Sequence, residues 1–413
     1  MSRNPGLAAL SRPGLAEAAM ANDMPKRSMQ PRPSAPAASL QLLCLCLSAS
    51  RTADAQEQLR GLLREGPDWV ALAAVANEHL VAPALWTALG RSGLLPELPD
   101  DFSEYLAAIH HANAIRAEAM RRQLRRAALA LNAAGIVPVL LKGGARLIER
   151  TAEGDARMMA DLDLLVEERR CDEAVAVLCR NGYRVVDDES GGRFHATALR
   201  HAGEPAAIDV HRHVGRQRDF IPLADALAGA VLLAAGDCRV LALAPTHRVM
   251  HVFFHAQIHD RGQASHALPL RQLEEFAWIA ERHAPAIDWA AIAVAVDRLR
   301  LRSAWDVWLY LVGRCLGQAP AMPLRRRRRA ARHYRRCLFL LDHRWLGGPL
   351  RAALAVTEPL SYANIDYRYG CGASAPRLLR ARAAEILRLC RKYGRRLPQR
   401  LLAALREAHE QAP

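Results

Sequence analysis

Ala160-Asp161-Leu162-Asp163-Leu164-Leu165-Val166 sets two carboxylates two residues apart in an otherwise aliphatic stretch. A β-strand alternates its side chains between two faces, so Asp161 and Asp163 project from one face and Leu162 and Leu164 from the other. Like charges this close disfavour each other's ionisation unless a cation neutralises them. Hard oxygen donors in this arrangement suit Mg2+ or Mn2+, which fill an octahedral shell with waters or substrate phosphates. Taken alone, an Asp-x-Asp pair is more often a strand end or a solvated turn.

The neighbouring sequence adds to that strand on both sides. Upstream, residues 136–141 form a β-branched and aliphatic run closed by Lys142-Gly143-Gly144, which reads as strand, tight turn and helix. Pro138 cannot donate to a ladder, so pairing starts after it or the strand lies at an edge. Downstream, a helix is predicted over residues 171–181, closed by Gly182, with further strands at 183–186 and 206–214. Residues 195–200 can pair between those two. The last strand carries a third carboxylate in Ile208-Asp209-Val210-His211, and period two puts His211 and His213 on the face of Asp209. Backbone N–H groups of a Gly-Gly turn opening a helix can cradle phosphate, and Lys142 and Arg157 can add positive charge. Equally, a Gly-Gly turn can be no more than a turn.

Helical spacing of apolar residues returns on both sides of this unit. The chain therefore divides into a disordered leader at 1–39, a helical module at 40–134, a compact strand-bearing unit at 135–220 and a helical region at 221–413. Within the last part, helices are expected over 247–258, 268–283, 289–299, 304–316 and 378–389. The low aromatic share, 5%, against 51% hydrophobic residues favours a core of Leu, Ala and Val. No apolar run is long enough to cross a bilayer, and residues 226–235 are too short and Ala-rich to do so. The nine cysteines form no CxxC pair, which argues against structural zinc and fits a reducing, cytoplasmic setting. A net charge of +15 favours polyanionic partners, though an Arg- and Ala-rich composition also follows from a GC-rich genome.

Val139-Leu140-Leu141-Lys142-Gly143-Gly144, Arg157 with Asp161-Leu162-Asp163-Leu164-Leu165-Val166, and Ile208-Asp209-Val210-His211 together resemble the nucleotidyltransferases related to DNA polymerase beta. Within that superfamily the chain is similar to the uncharacterised nucleotidyltransferase group of bacterial type. The likeness extends from about residue 40 to residue 322. It implies an α+β fold in which a small mixed-sheet palm is flanked by N-terminal and C-terminal helical regions. It also implies Mg2+- or Mn2+-dependent transfer of a nucleoside monophosphate from a triphosphate such as ATP, with release of pyrophosphate. The acceptor would be a hydroxyl of a small molecule, a peptide or RNA. The family pattern maps its metal-binding and catalytic carboxylates onto Asp161, Asp163 and Asp209. Nucleotide contacts are expected from Lys142, Gly143, Gly144, Arg157 and His211. The interval between Gly144 and Asp161 is longer than the superfamily pattern, and Lys142 before the glycines departs from it. The competing expectation is an accessory protein that uses the same fold to bind a nucleotide or partner without turnover.

Three further features have a plain structural reading beside a functional one. His251, His255 and His259 share a helical face, either as metal ligands or as half-buried polar groups where a helix meets the palm. Arg325 to Arg329, with Arg332, Arg335 and Arg336, form a basic stretch that is a solvated helix by default and a polyanion contact otherwise. Trp278, Trp289, Trp305 and Trp308 fall at helical core positions.

Overall fold

The computed structural model describes residues 35–149, 154–186, 195–215, 220–319, 322–343, 345–347, 360 and 375–393. Most of the expected leader therefore lies outside the described residues. Its last residues belong to the first helix, α1 (Pro36–Ser48), where Ala37 and Ser39 are buried. Helices α2 (Ala53–Arg64), α3 (Trp69–Glu78) and α4 (Ala82–Arg91) follow, and then the long α5 (Asp100–Ala133). Asp100 and Asp101 sit in the first turn of α5, where the exposed N–H groups favour negative charge. The chain leaves α5 through Gly135 at φ 71°, a conformation that costs a glycine little.

Seven strands form one mixed sheet among the described residues, in the order β3-β4-β5-β2-β1-β7-β6. They are β1 (Val139–Leu140), β2 (Asp161–Leu165), β3 (Arg184–Val186), β4 (His195–Arg200), β5 (Ala207–His211), β6 (Val231–Ala235) and β7 (Cys238–Ala242). The chain is thus α+β, with helical regions on both sides of the sheet. Strand β2 pairs parallel with β5 and antiparallel with β1, and β1 pairs parallel with β7. Between β1 and β2 lies the short α6 (Gly144–Ile148), and between β2 and β3 lies α7 (Cys171–Arg180). Pairing in β1 does start after Pro138, and the strand is interior rather than at an edge. Pro138 contributes only its carbonyl, accepting from Leu241 N at 2.9 Å.

The expectation of helices alone beyond residue 222 is corrected by the hairpin β6–β7, which completes the sheet. Ala235 pairs with Cys238, leaving Gly236-Asp237 as a two-residue turn with Gly236 at φ 72°. A positive φ at the first turn position matches the twist of a hairpin, so Gly-Asp was the available signal. The Ala-rich run before it concealed the strand, because Ala has little β preference of its own.

The sheet separates two cores. Leu162, Leu164, Ile208 and Val210 face α5 and α7 and pack with Leu124, Leu131 and Leu178. Val139, Leu141 and Leu165 face the opposite way and join the large helical core containing Phe253, Trp305 and Trp308. That second core is built by α9 (Pro245–Phe254), α11 (Leu270–Arg282), α12 (Trp289–Arg298) and α13 (Arg302–Leu316) together with the N-terminal helices; the short α8 (Leu223–Ala228) precedes β6 and the short α10 (Gly262–Ser265) precedes α11. The alternation of β2 therefore places its two aspartates on the side of the C-terminal helices. None of the helices among the described residues is long and apolar enough to cross a membrane.

Candidate functional site

Parallel pairing sets Asp163 opposite Asp209 and Leu165 opposite His211. Residues in register on neighbouring strands share a face, so three side chains converge. Asp163, Asp209 and His211 each offer a donor atom, and those atoms lie within 4.8 Å of one another. Asp161 stands two residues earlier on the same face. Lys142 Nζ lies 2.6 Å from Asp163 Oδ1 and 3.9 Å from Asp161 Oδ2, while His211 Nε2 lies 2.8 Å from Asp163 Oδ1.

The charges respond to this crowding in opposite directions. Asp163 is 3% exposed, and burial alone would push its carboxyl up. The His211 hydrogen bond and the Lys142 charge outweigh burial and hold it well below the usual carboxylate range. Asp209 is raised above its ordinary value, first by burial and then by the charge of Asp163. Burial would lower Lys142, but Asp163 and Asp161 overcome it and raise the ammonium above its usual value. Lys142 also adopts φ 46°, in the left-handed region that costs a non-glycine residue roughly 1–2 kcal/mol. That turn brings the ammonium back over the strand carrying the aspartates.

A cleft opens above these groups. Its floor is Lys142, Gly143, Asp161 and Asp163, and its walls include Arg157 and Met159 from the loop before β2, His251 and His255 from α9 and the turn after it, and Arg271 and Gln272 from α11. A Cβ at Gly143 would run into Met159 Sδ and Arg157 Nε, so this glycine allows the arginine to approach the floor. Gly144 has a different position from the one expected. Its N–H bonds Leu141 O at 3.0 Å within the turn, and a Cβ there would meet Leu140 Cβ at 3.3 Å. It packs the turn on β1 and does not line the cleft.

Arg157 Nε lies 2.9 Å from Glu275 Oε2 without the alignment of a hydrogen bond, and its buried Nε and NH1 have no acceptor. Glu275 is fully enclosed and also lies 3.3 Å from Arg146 NH1. Arg146 in turn forks onto Glu274 at 2.6 and 3.0 Å. This buried network fastens the helix after the Gly-Gly turn to α11. Arg271 donates to Met158 O at 3.3 Å, and burial followed by repulsion from Arg157 lowers its pKa. Two guanidinium groups held together against their repulsion form an anion-attracting wall.

His211 touches Asp163, and neither His211 nor Asp209 lines the cleft; both stand on β5, behind Asp163. His213 lies beyond the end of β5, 3.5 Å from Glu168 Oε1, and does not share the site. The histidine series divides in two. His251 and His255 line the cleft, and His251 is held well below its usual value by burial and then by the charges of His255 and Lys142. His259 does not line it, but His255 and His259 both pair with Asp260, at 3.0 and 2.9 Å, their rings stack at 4.7 Å, and the three residues offer donor atoms within 4.8 Å of one another. The turn carrying His255–His259 is a π-helix, a form that concentrates at functional sites. Arg271, Gln272, Met159 and the Arg146–Glu275 network carried no sequence signal, because arginine in an amphipathic helix reads as solvent-facing. Trp278, Trp305 and Trp308 are buried core, with Arg146 over the Trp278 ring at 4.7 Å.

A family model described as an uncharacterised nucleotidyltransferase matches residues 65–317. The chain belongs to that family. No curated protein and no solved structure matches it. As a member of a nucleotidyltransferase family, the chain is expected to meet a nucleotide, and divalent metals are common in such families. Its donor set fits one: aspartate oxygens and an imidazole converge from two strands, and the single nearby ammonium leaves the three carboxylates with excess negative charge.

Proposed function

We propose that this nucleotidyltransferase-family protein moves a nucleoside monophosphate from a nucleoside triphosphate to a hydroxyl acceptor and releases pyrophosphate. The observation that carries this reading is the register of β2 on β5, which sets Asp163 beside Asp209 with Asp161 on the same face. Asp161, Asp163 and Asp209 would hold Mg2+ or Mn2+, which when bound lowers the pKa of the acceptor hydroxyl and offsets charge on the phosphates. Arg157 and Arg271 orient the triphosphate through its anionic oxygens, and Lys142 is placed to move from the carboxylates to the phosphates. The acceptor oxygen forms a bond to the α-phosphorus, the bond from that phosphorus to the bridging oxygen breaks, and pyrophosphate leaves with the electron pair. Asp209, beside Asp163 on β5, takes the acceptor proton directly or through water.

Incubation with each labelled nucleoside triphosphate, Mg2+ and a panel of hydroxyl acceptors should release pyrophosphate. Chelation with EDTA should stop it, as should the double substitution Asp161→Asn with Asp163→Asn. Undiminished release in that double variant rejects the assignment.

One observation favours a second reading. Lys142 Nζ at 2.6 Å from Asp163 neutralises the pair in part without a cation, as suits a protein that binds a nucleotide and does not turn it over. Under that reading calorimetry finds nucleotide binding without pyrophosphate release, and the binding survives replacement of all three aspartates.

A further inference from the structure

Away from the cleft, a loop residue and one helix of the C-terminal region bring three nitrogen and sulfur donors together. Helix α14 (Arg327–Asp342) has an exposed arginine face and a buried face. On the buried face His333 and Cys337 stand one turn apart, 7% and 1% exposed. Against them rests His266, which ends α10 in a left-handed turn at φ 54°. The Nδ1 atoms of His266 and His333 are 3.1 Å apart, and one donor atom from each of the three residues lies within 4.8 Å of the other two. His333 Nε2 is buried and has no hydrogen-bond partner.

We propose that His266, His333 and Cys337 form a binding site for a thiophilic divalent cation of the zinc class, separate from the aspartate cluster. Tetrahedral zinc with bonds of about 2.0 Å to nitrogen and about 2.3 Å to sulfur separates its donors by roughly 3.3–3.5 Å. The two Nδ1 atoms already have nearly that spacing, and the Cys337 sulfur lies within 4.8 Å of a ring nitrogen of each histidine. Imidazole with thiolate selects zinc over magnesium, the reverse of the oxygen-rich cluster on β2. Three protein ligands leave the fourth position to water, which can enter beside the half-buried His266.

The protonation states fit in part. Burial, then the neighbouring His266 and Arg336, bring His333 down to about 4, so the imidazole is neutral as a ligand must be. Burial pushes the Cys337 thiol up to about 12, so cation binding has to release its proton. The nearby charge of Arg336 opposes a cation, and the thiolate formed on binding offsets it. The consequence for the fold is a tie. The segment from His255 to Arg271 runs from one cleft wall to another and contains His266, so a cation here would fix α14 to that segment.

Cobalt(II) reports a thiolate ligand directly through a near-ultraviolet sulfur-to-metal absorption band. With the reduced full chain in excess Mg2+ to occupy hard sites, one equivalent of Co2+ should produce that band, and Zn2+ should displace it. The band should vanish in Cys337→Ser and in Cys337→Ala, and His333→Ala should weaken the cobalt affinity at least tenfold. Zinc should raise the melting temperature of the wild type and not of the Cys337 variants. Absence of the band from the wild type, or its survival in both Cys337 variants, overturns the proposal and leaves a simple N–H···N hydrogen bond between two imidazoles. None of these readouts depends on nucleotide transfer, so the test stands whatever the fate of the cleft.

Discussion

Asp163 and Glu275 are both buried carboxylates facing two cationic or imidazole groups, yet they do opposite things. Glu275 lies between Arg146 and Arg157, and its neighbour Glu274 is matched by the Arg146 fork. Charge there balances within the protein. Asp163 has Lys142 and His211 but shares them with Asp161 and Asp209, so negative charge is left over beside an open cleft. A buried acid matched by fixed guanidinium groups joins two elements. A buried acid in excess creates a demand that a ligand has to meet.

The largest expected contrast is in activity. Asp163→Asn should cut nucleotide transfer by about 10⁴-fold, on the order of 5 kcal/mol of barrier, with a smaller loss of stability because Asp161 stays beside Lys142. A variant that retains transfer within tenfold would place Asp163 in the same class as Glu275.

Arg146→Met should show the reverse pattern. Leaving Glu274 and Glu275 without a partner costs about 3–5 kcal/mol, read from urea unfolding. Burial would raise Glu274, but Arg146 holds it below its ordinary value. A group with a depressed folded pKa stabilises the protein above its unfolded value of about 4.3, and that contribution is lost as pH falls through the lowered value. Wild-type stability should therefore decline in acid below about pH 4.3, and the decline should be shallower in Arg146→Met. An unchanged acid slope would mean that the network does not set the Glu274 charge.

The smallest effect tests the boundary between the two regions. Gly143→Ala should displace Arg157 and Met159, raising the KM for nucleotide about tenfold, with less than about 1 kcal/mol lost from stability. A variant with wild-type KM would mean that Arg157 serves Glu275 alone.

The sequence disclosed the elements of the site more readily than their contacts. Asp-Leu-Asp and Ile-Asp-Val-His each carry the period-two signature of a strand with one apolar face, and both strands form where expected. Nothing local gives the register between them, because the match of Asp163 to Asp209 depends on packing over α7. The hairpin β6–β7 was hidden by alanines, and β1 pairs over only two residues because Pro138 precedes it and the Lys142 turn follows. His251 and His255 were visible as a helical pair but had no partner to point at until α9 docked on the palm. Arg157 was visible beside the aspartate strand and lines the cleft, whereas Arg146 and Arg271 mark the real limit. Arginine on an amphipathic helix or loop looks solvent-facing, and only tertiary packing shows which ones are enclosed.

The parallel pairing of β2 and β5 also dictates when the acidic centre comes into being. Parallel neighbours cannot be joined by a tight turn, and here α7, β3 and β4 lie between them in the chain. A polypeptide still emerging from the ribosome therefore carries Asp161 and Asp163 as an ordinary exposed pair until the segment ending at His211 has been made and docked. A truncated or stalled chain would own half of the constellation and none of its grip.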